Sequence, residues 1–267
     1  MPDCSALNVP RWVDLGTSDL TGATRFYTRL FGWTAHESPE PESGTYVTFS
    51  KDGRTVAGAG PLFGEGRRPA WSTYVTTEDA DEAARRAAAA GGTVVVPPFD
   101  VHDQGRMAVF LDPSGAPIAV WQPRKMTGAE LVNAPGALCW NELATQEPEK
   151  AKQFYPAVFG WGVKDTGYGS VTYTEWLVNG TSVAGMMPMG GGSHWAPNLP
   201  PHWMVYFAVS DCDATAARAM QLGGSVVIAP TDIPQGRVAV IDDPQGAFFT
   251  VIELADGGTP TRFGAPT

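Results

Sequence analysis

A duplication constrains this chain more than any other feature of its sequence. Residues 12–15 (WVDL) return as residues 140–143 (WNEL), and residues 31–33 (FGW) return as residues 159–161 (FGW). The offset is the same for both pairs, since 140 − 12 and 161 − 33 both equal 128. Because self-similarity at a fixed spacing marks a duplicated structural unit, the sequence predicts two homologous halves of about 120 residues.

The match continues toward the end of each half. Trp71 and Tyr74 return as Trp203 and Tyr206, and DPSG at 112–115 returns as DPQG at 243–246. Within each half, a weaker repetition of strand, helix, glycine turn and several strands is visible. The pattern predicts an α+β fold of four βαβββ modules, with two modules in each half.

The two halves are expected to form two compact domains, since domains of this size support their own cores. We place the first domain at residues 10–123 and the second at residues 136–255. The Gly- and Pro-containing segment 124–135 is predicted to be a linker, and the two chain ends are predicted to be loose. Further Gly- and Pro-rich connections are expected inside the halves, at 64–69 and 190–201.

Two short amphipathic helices are predicted in the first half, at residues 19–30 and 79–90. Each starts at an aspartate in a capping position, and glycines follow the end of each. Segments rich in β-forming residues follow the helices, at 45–49, 55–59, 93–96, 107–111 and 118–121. Asp-Gly and Asp-Pro turns separate these predicted strands, and the second half follows the same pattern.

Composition excludes several classes of partner. The formal net charge of −10 argues against nucleic acid and against an anionic membrane surface, because both require clustered Lys and Arg. Three cysteines are too few and too scattered for a disulfide framework or a CxxC metal site. No apolar run is long enough for a signal or a transmembrane span. We therefore expect a cytoplasmic monomer or homodimer whose partner is a small-molecule ligand or substrate.

The ordered motifs resemble the vicinal oxygen chelate superfamily of glyoxalases, bleomycin-resistance proteins and extradiol dioxygenases. Residues 18–20 (SDL), 26–27 (FY) and 30–33 (LFGW) resemble its opening module, and residues 112–115 (DPSG) resemble its closing hairpin. The tandem arrangement is similar to an actinobacterial branch of glyoxalase-like and hydroxylase-like proteins that includes a mycobacterial culture-filtrate antigen. The resemblance covers nearly the whole chain. It implies two glyoxalase/bleomycin-resistance-like domains, each with an eight-stranded cupped mixed sheet around a cavity.

A divalent metal ion, acting as a Lewis acid or as an oxygen-activating centre, is the cofactor that this resemblance implies. Metal-binding relatives carry a His or Gln early in the first strand of a module and a Glu in the last strand. Aligned here, the first-strand positions hold Trp12, Ser72, Trp140 and Met204. The corresponding last-strand segments carry no carboxylate: 57–59, 118–120, 184–186 and 249–251. We therefore predict no metal ligands and no cofactor.

The histidines give no alternative ligand set. None has a histidine partner two or four residues away, which is the spacing typical of paired ligands: His36, His102, His194 and His202. His202 alone would enter the cup if the predicted strand register were wrong by two residues. A slip of one residue would exchange the inner and outer faces of a strand.

Strand alternation places two acidic residues beside the first-strand tryptophans, Asp14 after Trp12 and Glu142 after Trp140. Burying a carboxylate without a partner costs several kcal/mol, so each carboxylate either faces solvent or has a partner. Our hypothesis is that both are pocket carboxylates with raised pKa values that act as general bases or ligand anchors. The two tryptophans line the pocket or, alternatively, are ordinary core residues.

The remaining pocket candidates come from the neighbouring strands. The predicted substrate-binding residues, besides the two tryptophans, are Ser72, Tyr74, Arg106, Trp121, Met204, Tyr206, Arg237 and Thr250. Arg106 and Arg237 follow Gln-Gly in both halves and would hold a carboxylate or carbonyl of a ligand. The alternative for the two arginines is an ion pair with the turn residues Asp112 and Asp243. The DPSG and DPQG segments themselves are predicted to be hairpin turns and nothing more.

Three functions remain open at this point. The first is a glyoxalase-, dioxygenase- or hydroxylase-like enzyme, as the resemblance implies, although the usual metal ligands are not found in the sequence. Alternatively, it is a non-enzymatic protein that sequesters an aromatic or planar small molecule, as an apolar pocket with few polar groups would suit. A metal-free enzyme that uses Asp14 or Glu142 lies between these two. No GxGxxG, GxxxxGK[ST] or GxSxG motif supports a nucleotide-binding or hydrolase function.

Overall fold

A computed structural model describes residues 7–40, 44–62, 66, 68–168, 171–190 and 199–255. Four helices and sixteen strands occur in this part of the chain. The helices are α1 Leu20–Phe31, α2 Ala80–Ala89, α3 Pro148–Phe159 and α4 Cys212–Gln221. Within the described residues, no helix is both long enough and apolar enough to cross a membrane.

Each half forms its own eight-stranded mixed sheet. The first sheet contains β1 Pro10–Thr17, β2 Thr34–Glu40, β3 Gly44–Lys51, β4 Arg54–Pro61, β5 Ala70–Thr76, β6 Thr93–Val101, β7 Gly105–Leu111 and β8 Pro117–Pro123. The second contains β9 Leu138–Thr145, β10 Gly162–Tyr168, β11 Val171–Val178, β12 Thr181–Pro188, β13 His202–Ala208, β14 Ser225–Ile233, β15 Gly236–Asp242 and β16 Phe248–Leu254. The strand orders are β2-β3-β4-β1-β5-β8-β7-β6 and β10-β11-β12-β9-β13-β16-β15-β14. The predicted α+β fold of four βαβββ modules is thereby confirmed.

The central strands of each sheet join its two modules. In the first sheet β1 runs parallel to β4 and antiparallel to β5, and in the second sheet β9 has the same relation to β12 and β13. The two modules of one half therefore form one continuous sheet, so any cup lies within a half.

Local sequence signals explain where the helices begin and end. Asp19 caps α1 by accepting from the amide of Gly22 at 2.9 Å, and Asp79 caps α2 by accepting from the amide of Glu82 at 2.9 Å. Helix α1 ends at Gly32, whose φ of 70° lies in the left-handed region that glycine adopts readily. The two predicted first-half helices are confirmed to within one residue at each end.

Tight turns connect the outer strands. Asp52 and Gly53, with φ of 51° and 74°, link β3 to β4, and Asn179 and Gly180 take the same conformation between β11 and β12. Positive φ at both central residues is the geometry that Asp-Gly and Asn-Gly favour in two-residue hairpins. All five predicted first-half strands are present but longer than predicted. The edge strand β2 was not predicted.

The helices pack between the two sheets, so each hydrophobic core contains residues of both halves. One core combines Phe26 and Tyr27 of α1 with Phe207 and Phe249 of the second sheet. The other combines α2 and β8 of the first half with α3 and Trp203 of the second. The expectation of one separate core per domain is therefore wrong. Isolated halves would expose a large apolar surface, since each half completes the other's core.

Two reciprocal hydrogen bonds connect the halves. The Tyr27 hydroxyl donates to Asp243 at 3.0 Å, and the Tyr155 hydroxyl donates to Asp112 at 2.9 Å. Each tyrosine also accepts from an indole N–H, Trp71 to Tyr27 at 3.0 Å and Trp203 to Tyr155 at 2.9 Å. The Asp-Pro hairpins were predicted to be turns and nothing more. This is wrong, because their aspartates also bind the opposite half.

The segment between the halves is packed onto the first half. Amides of residues 129–131 donate to backbone carbonyls of Arg11 and Thr55, and the Trp121 indole N–H donates to the Met126 carbonyl at 2.8 Å. Ala129 and Leu131 are buried. The predicted linker is therefore an ordered part of the fold. Residues 1–6 and 256–267 of the predicted loose ends, and most of the inner connections, lie outside the described residues.

Candidate functional site

Strand alternation divides the residues of β1 and β9 between two faces. Val13 and Leu15 lie in the helix-side core, whereas Trp12 packs with Tyr74 and Trp121 on the opposite face. In the second half, Trp140 packs in the same way with Met204 and Tyr206. We call the sheet face opposite the helices the inner face. The structure therefore places all four first-strand positions on the inner faces, as the predicted register requires.

The first site consists of Trp12, Asp14, Tyr46, Ser72 and Tyr74. The Asp14 carboxylate accepts hydrogen bonds at Oδ2 from the Tyr74 hydroxyl at 3.0 Å and from the Tyr46 hydroxyl at 3.4 Å. Ser72 lies directly across from Asp14 in the β1–β5 register. The Trp12 ring and the Tyr46 hydroxyl both lie beside Gly58. Asp14 thus has the partners that a carboxylate on a largely apolar face requires.

Burial raises the pKa of Asp14 from its usual 3.8 to about 6, although hydrogen bonds from Tyr74 and Tyr46 oppose this increase. Removal from water disfavours the charged form of a carboxyl group, whereas donors to the carboxylate favour it. Burial, together with the nearby Asp14 charge, also raises the pKa of both tyrosines. The tyrosines therefore stay neutral while the carboxyl titrates near neutral pH.

The second site consists of Trp140, Glu142, Tyr173, Met204 and Tyr206. Tyr173 donates to Oε2 of Glu142 at 2.8 Å, Tyr206 donates to Oε1 at 3.0 Å, and the Trp140 indole N–H donates to the Tyr173 hydroxyl at 3.0 Å. Burial raises the pKa of Glu142 from 4.5 to about 7, and the two tyrosines oppose this increase. The second site therefore repeats the carboxyl, the two tyrosines and the tryptophan of the first.

Two glycines make space for these tyrosines. Gly58 of β4 pairs with Asp14, and a Cβ at this position would overlap the Tyr46 hydroxyl. Gly185 of β12 pairs with Glu142, and a Cβ there would overlap the Tyr173 hydroxyl. A side chain on β4 or β12 and the tyrosine from the next strand therefore exclude each other. The glycine is what allows the hydroxyl to reach the carboxyl.

The residues on the inner faces do not fit the divalent metal that the resemblance implies. In the first half, the two centre strands and the strands flanking them present one carboxylate, hydroxyls, two indoles and the glycine hydrogen of Gly58. In the second half Met204 replaces Ser72. Within the described residues, no group of three His, Cys, Asp or Glu side chains is placed to hold a metal ion. A single carboxylate that two tyrosines already bind is not a ligand set for such an ion.

Two further predicted residues lie on the inner faces but outside the five-residue sites. Trp121 is buried beside Trp12, and its indole N–H is held by the Met126 carbonyl. Thr250 of β16 pairs with Tyr206, is 1% exposed, and has no hydrogen-bond partner for its hydroxyl among the described residues. Both therefore border the sites rather than contact the carboxyls.

The two predicted ligand-binding arginines lie on the helix side of the sheets. The Arg106 guanidinium binds Asp81 of α2 at 2.7 and 2.9 Å and Asp100 of β6 at 3.0 Å. Arg237 makes the same connection to Asp213 of α4 and Asp232 of β14. The prediction that the arginines line the cups is wrong, because these carboxylates hold them on the opposite face. The alternative pairing with the turn aspartates Asp112 and Asp243 is also wrong.

The histidines and cysteines contribute little to the sites. His202 lies on β13 two residues before Met204, with its ring edge-on to Phe248, and burial lowers its pKa. His36 and His102 are exposed. Cys139 and Cys212 are free, buried thiols whose pKa values burial raises. His194 and Cys4 lie outside the described residues.

The sequence analysis missed Tyr46 and Tyr173, which complete the two sites. Both were available from the duplication, since 173 − 46 is 127 and the neighbouring offset is 128. Tyr46 was placed in a predicted strand but was not connected with Asp14, because two intervening strand pairings had to be known first. Gly58 and Gly185 were read as the absence of a metal ligand rather than as space for a hydroxyl.

The chain belongs to the Glyoxalase/Bleomycin resistance protein/Dioxygenase superfamily, whose family model matches residues 10–120 and 137–251. This match confirms the resemblance inferred from the motifs. It covers both halves and therefore both sites.

Among curated relatives, the anthracycline biosynthesis protein DnrV of Streptomyces peucetius is 44% identical over 274 residues, covering 97% of this chain and 98% of that protein. DauV of Streptomyces sp. (strain C5), also an anthracycline biosynthesis protein, is 43% identical over 97% of this chain and 98% of its own length. CFP32 of Mycobacterium tuberculosis is 42% identical over 92% of this chain and 95% of its own length. The tandem arrangement is thus shared along the full length of these relatives.

Solved structures share the fold at low identity. The Mn(II)-bound glyoxalase from Novosphingobium aromaticivorans superposes with a TM-score of 0.64 at 17% identity, covering 98% of this chain and 88% of that chain. The 2,3-dioxygenase LapB from Pseudomonas sp. KL28 superposes with a TM-score of 0.62 at 15% identity, covering 97% of each chain. These similarities establish the architecture, whereas the chemistry has to be inferred from the site residues.

Proposed function

We propose that this protein binds a planar aromatic small molecule on the inner face of a sheet, with a protonatable carboxyl as the polar anchor. The observation that carries the proposal is the Asp14 carboxyl, which two tyrosine hydroxyls hold beside Trp12 on a largely apolar face. Apolar surroundings with a few fixed polar groups are typical of small-molecule sites.

Partly exposed apolar side chains around the first site support this proposal. Met107, Val109 and Met126 pack against the cluster of Trp12, Tyr74 and Trp121 and are only partly buried. They offer contact area for a flat ring system next to the carboxyl. Methionine suits such a surface, because its flexible and polarizable side chain adapts to different ring shapes.

The names of the relatives favour a ligand of the same kind. Two proteins that are 43–44% identical over nearly the full chain are named for anthracycline biosynthesis. Anthracyclines are compounds with a fused, planar ring system, and this shape matches the apolar surroundings of the carboxyl. We therefore expect hydroxylated fused-ring compounds to bind better than aliphatic ones.

Fluorescence titration tests the proposal directly. The probe is 1,2-dihydroxyanthraquinone, and the signal is quenching of the nine tryptophans, two of which lie at the sites. Saturable quenching in the wild type is expected, together with at least tenfold weaker binding after the double substitution Asp14→Asn and Glu142→Gln. Both replacements keep the size of the side chain and remove its charge. Unchanged binding by the double variant would reject the carboxyl as anchor.

Metal-independent acid–base catalysis is a second candidate, and the pKa of about 6 favours it. A carboxylate with a pKa near the working pH is an efficient acceptor for a proton from a phenol or from a carbon beside a carbonyl. Turnover would then rise with pH through a single ionisation near pH 6 and would be lost in Asp14→Asn. A pH-independent rate, or a rate that survives this substitution, would exclude Asp14 as the base.

A further inference from the structure

The two sites differ most clearly at one position. Ser72 faces Asp14 in the first sheet, whereas Met204 faces Glu142 in the second, at matching places in the β1–β5 and β9–β13 registers. Ser72 is exposed, while Met204 is 7% exposed. A small hydroxyl-bearing side chain therefore leaves the first carboxyl open, and a long thioether side chain covers the second.

The hydrogen bonds to the two carboxyls differ as well. Tyr46 and Tyr74 both donate to the same oxygen of Asp14, Oδ2. In the second site Tyr173 binds one oxygen of Glu142 and Tyr206 binds the other. A carboxylate accepts several hydrogen bonds through its two oxygens. Among the described residues, Oδ1 of Asp14 is thus the one oxygen of these four carboxyl oxygens that accepts no hydrogen bond from a tyrosine.

Exposure of the carboxyls follows the same division. Asp14 and Tyr46 are partly exposed, whereas Glu142 is 6% and Tyr173 is 7% exposed. Apolar surroundings do not separate the sites, because partly buried apolar residues border both of them. The two sites differ in how accessible their carboxyl groups are to solvent.

We infer that ligand reaches a carboxyl only in the first site, where Oδ1 of Asp14 and the Ser72 hydroxyl together bind a hydroxyl group carried by a planar ring. Asp14 accepts the hydrogen bond of the ligand hydroxyl, and Ser72 lies beside it to bind a neighbouring oxygen. The second site is the closed counterpart, in which Met204 occupies the space of the ligand. This inference rests on the proposed function and predicts one ligand per chain.

Substitutions at Ser72 and Met204 test whether only the first site binds ligand. Isothermal titration of the wild type with 1,2-dihydroxyanthraquinone is expected to give one site per chain. Ser72→Met should weaken binding at least tenfold, since it places the covering side chain over Asp14. Met204→Ser should leave the first site at its wild-type affinity. Two equal sites in the wild type, or weaker binding in Met204→Ser than in Ser72→Met, would overturn the inference.

The single carboxyl variants locate the anchor. Asp14→Asn is expected to weaken binding at least tenfold, and Glu142→Gln is expected to change it by less than twofold. Unsubstituted anthraquinone, which has no hydroxyl to donate, should bind wild type and Asp14→Asn alike. A larger loss in Glu142→Gln than in Asp14→Asn would assign the ligand to the second site and contradict the inference.

An accessibility measurement separates failure of this inference from failure of the proposed function. Asp14→Cys and Glu142→Cys, which keep Ser72 and Met204 in place, are treated with a maleimide in the folded protein, and the reaction of the wild-type thiols is subtracted. The cysteine at 14 is expected to react at least tenfold faster than the cysteine at 142, because Ser72 leaves the first position open and Met204 covers the second. Equal rates would overturn the open and closed assignment whatever the ligand. If the rates differ as expected but no planar probe binds the wild type, the proposed function fails instead.

Discussion

The first and second sites present the same carboxyl, tyrosines and tryptophan to different surroundings. Asp14 and Ser72 are partly or fully exposed, whereas Glu142 and its register partner Met204 are buried and Glu142 accepts a hydrogen bond from a tyrosine at each of its oxygens. Burial raises the pKa of both carboxyls, to about 6 and to about 7. The two sites thus share the arrangement of their polar groups but differ in the access of solvent to the carboxyl.

This difference shows which part of a duplicated site tolerates change. The carboxyl, its tyrosines and the glycine that admits one hydroxyl depend on each other, because removal of one partner leaves a buried polar group without a hydrogen bond. The residue across from the carboxyl carries no such constraint. A single replacement there alters access without disturbing the hydrogen bonds below it.

The largest expected effect concerns the glycines beside the tyrosines. Gly185→Ala places a Cβ against the Tyr173 hydroxyl, and Tyr173 is buried and cannot move away. We expect it to lower the free energy of unfolding by about 3 kcal/mol. Gly58→Ala meets Tyr46, which is partly exposed and can turn toward solvent, so a loss of about 1 kcal/mol is expected. Urea unfolding measures both values.

Gly167→Ala is the matched control for these two substitutions. Gly167 also lies in a strand of the sheet, but no heavy atom of the described residues lies within 4 Å of the position of its Cβ. Its unfolding free energy should stay near that of the wild type. Equal losses for Gly58→Ala and Gly185→Ala would show that the first site is packed as tightly as the second.

The next effect concerns pH and the carboxyl of the second site. Its folded pKa of about 7 lies above its usual 4.5, so the folded state holds the proton more tightly than the unfolded state does. Stability is therefore lost as pH rises from 4.5 to 7, by about 3 kcal/mol for a shift of this size. Glu142→Gln removes the titration, so its stability relative to wild type should increase across this window.

Asp14→Asn tests the same pH dependence of stability for the carboxyl of the first site. The same direction is expected, but in the lower window from pH 3.8 to 6, and with a smaller change because Asp14 is partly exposed. Chemical unfolding at half-unit pH steps compares both variants with the wild type, in which all other titrating groups are the same. A relative stability of Glu142→Gln that does not change with pH would show that Glu142 is not protonated near neutral pH.

A smaller and equal effect is expected where the halves do not differ. Tyr27→Phe and Tyr155→Phe each remove a hydroxyl that joins an indole N–H to a buried aspartate of the other half. Each should cost about 2 kcal/mol, since two buried partners lose a hydrogen bond. Thermal unfolding of the two variants provides the measurement. Losses that differ by more than about 1 kcal/mol would mean that the two connections are not equivalent.

The fold was accessible from the sequence because its signals are local and repeated. Aspartate caps, glycine helix ends and Asp-Gly turns each act within a few residues, and the duplication showed every signal twice. Strand β2 was missed because Thr34–Glu40 contains Ser-Pro and two Glu and lacks a clear alternation. The shared cores were missed for a different reason. An apolar helix face shows that a partner exists but does not show which half supplies it.

Only those site residues that follow from strand alternation were predicted. Asp14 and Tyr74 follow from the phase of β1 and β5, and the same argument gives Glu142 and Tyr206. Tyr46 required the pairing of β3 with β4 and of β4 with β1, which no local pattern encodes. The prediction for Arg106 failed because its partners, Asp81 of α2 and Asp100 of β6, could not be identified without the position of α2.

The smallest expected effect is the response to divalent metal, for which we predict a change in the melting temperature of the protein below about 1 °C. A site with a dissociation constant one hundred times below the added metal concentration would stabilise the protein by about 2.7 kcal/mol and would raise the melting temperature by several degrees. We therefore expect thermal unfolding with 1 mM MnCl2, and with EDTA, to match the untreated protein. Asp14→Asn and Glu142→Gln serve as controls, since a metal-dependent shift that disappears in one of them would assign the ion to that site. A rise of more than about 3 °C in the wild type would contradict the conclusion that the carboxyl and hydroxyl groups on the inner faces do not fit a metal.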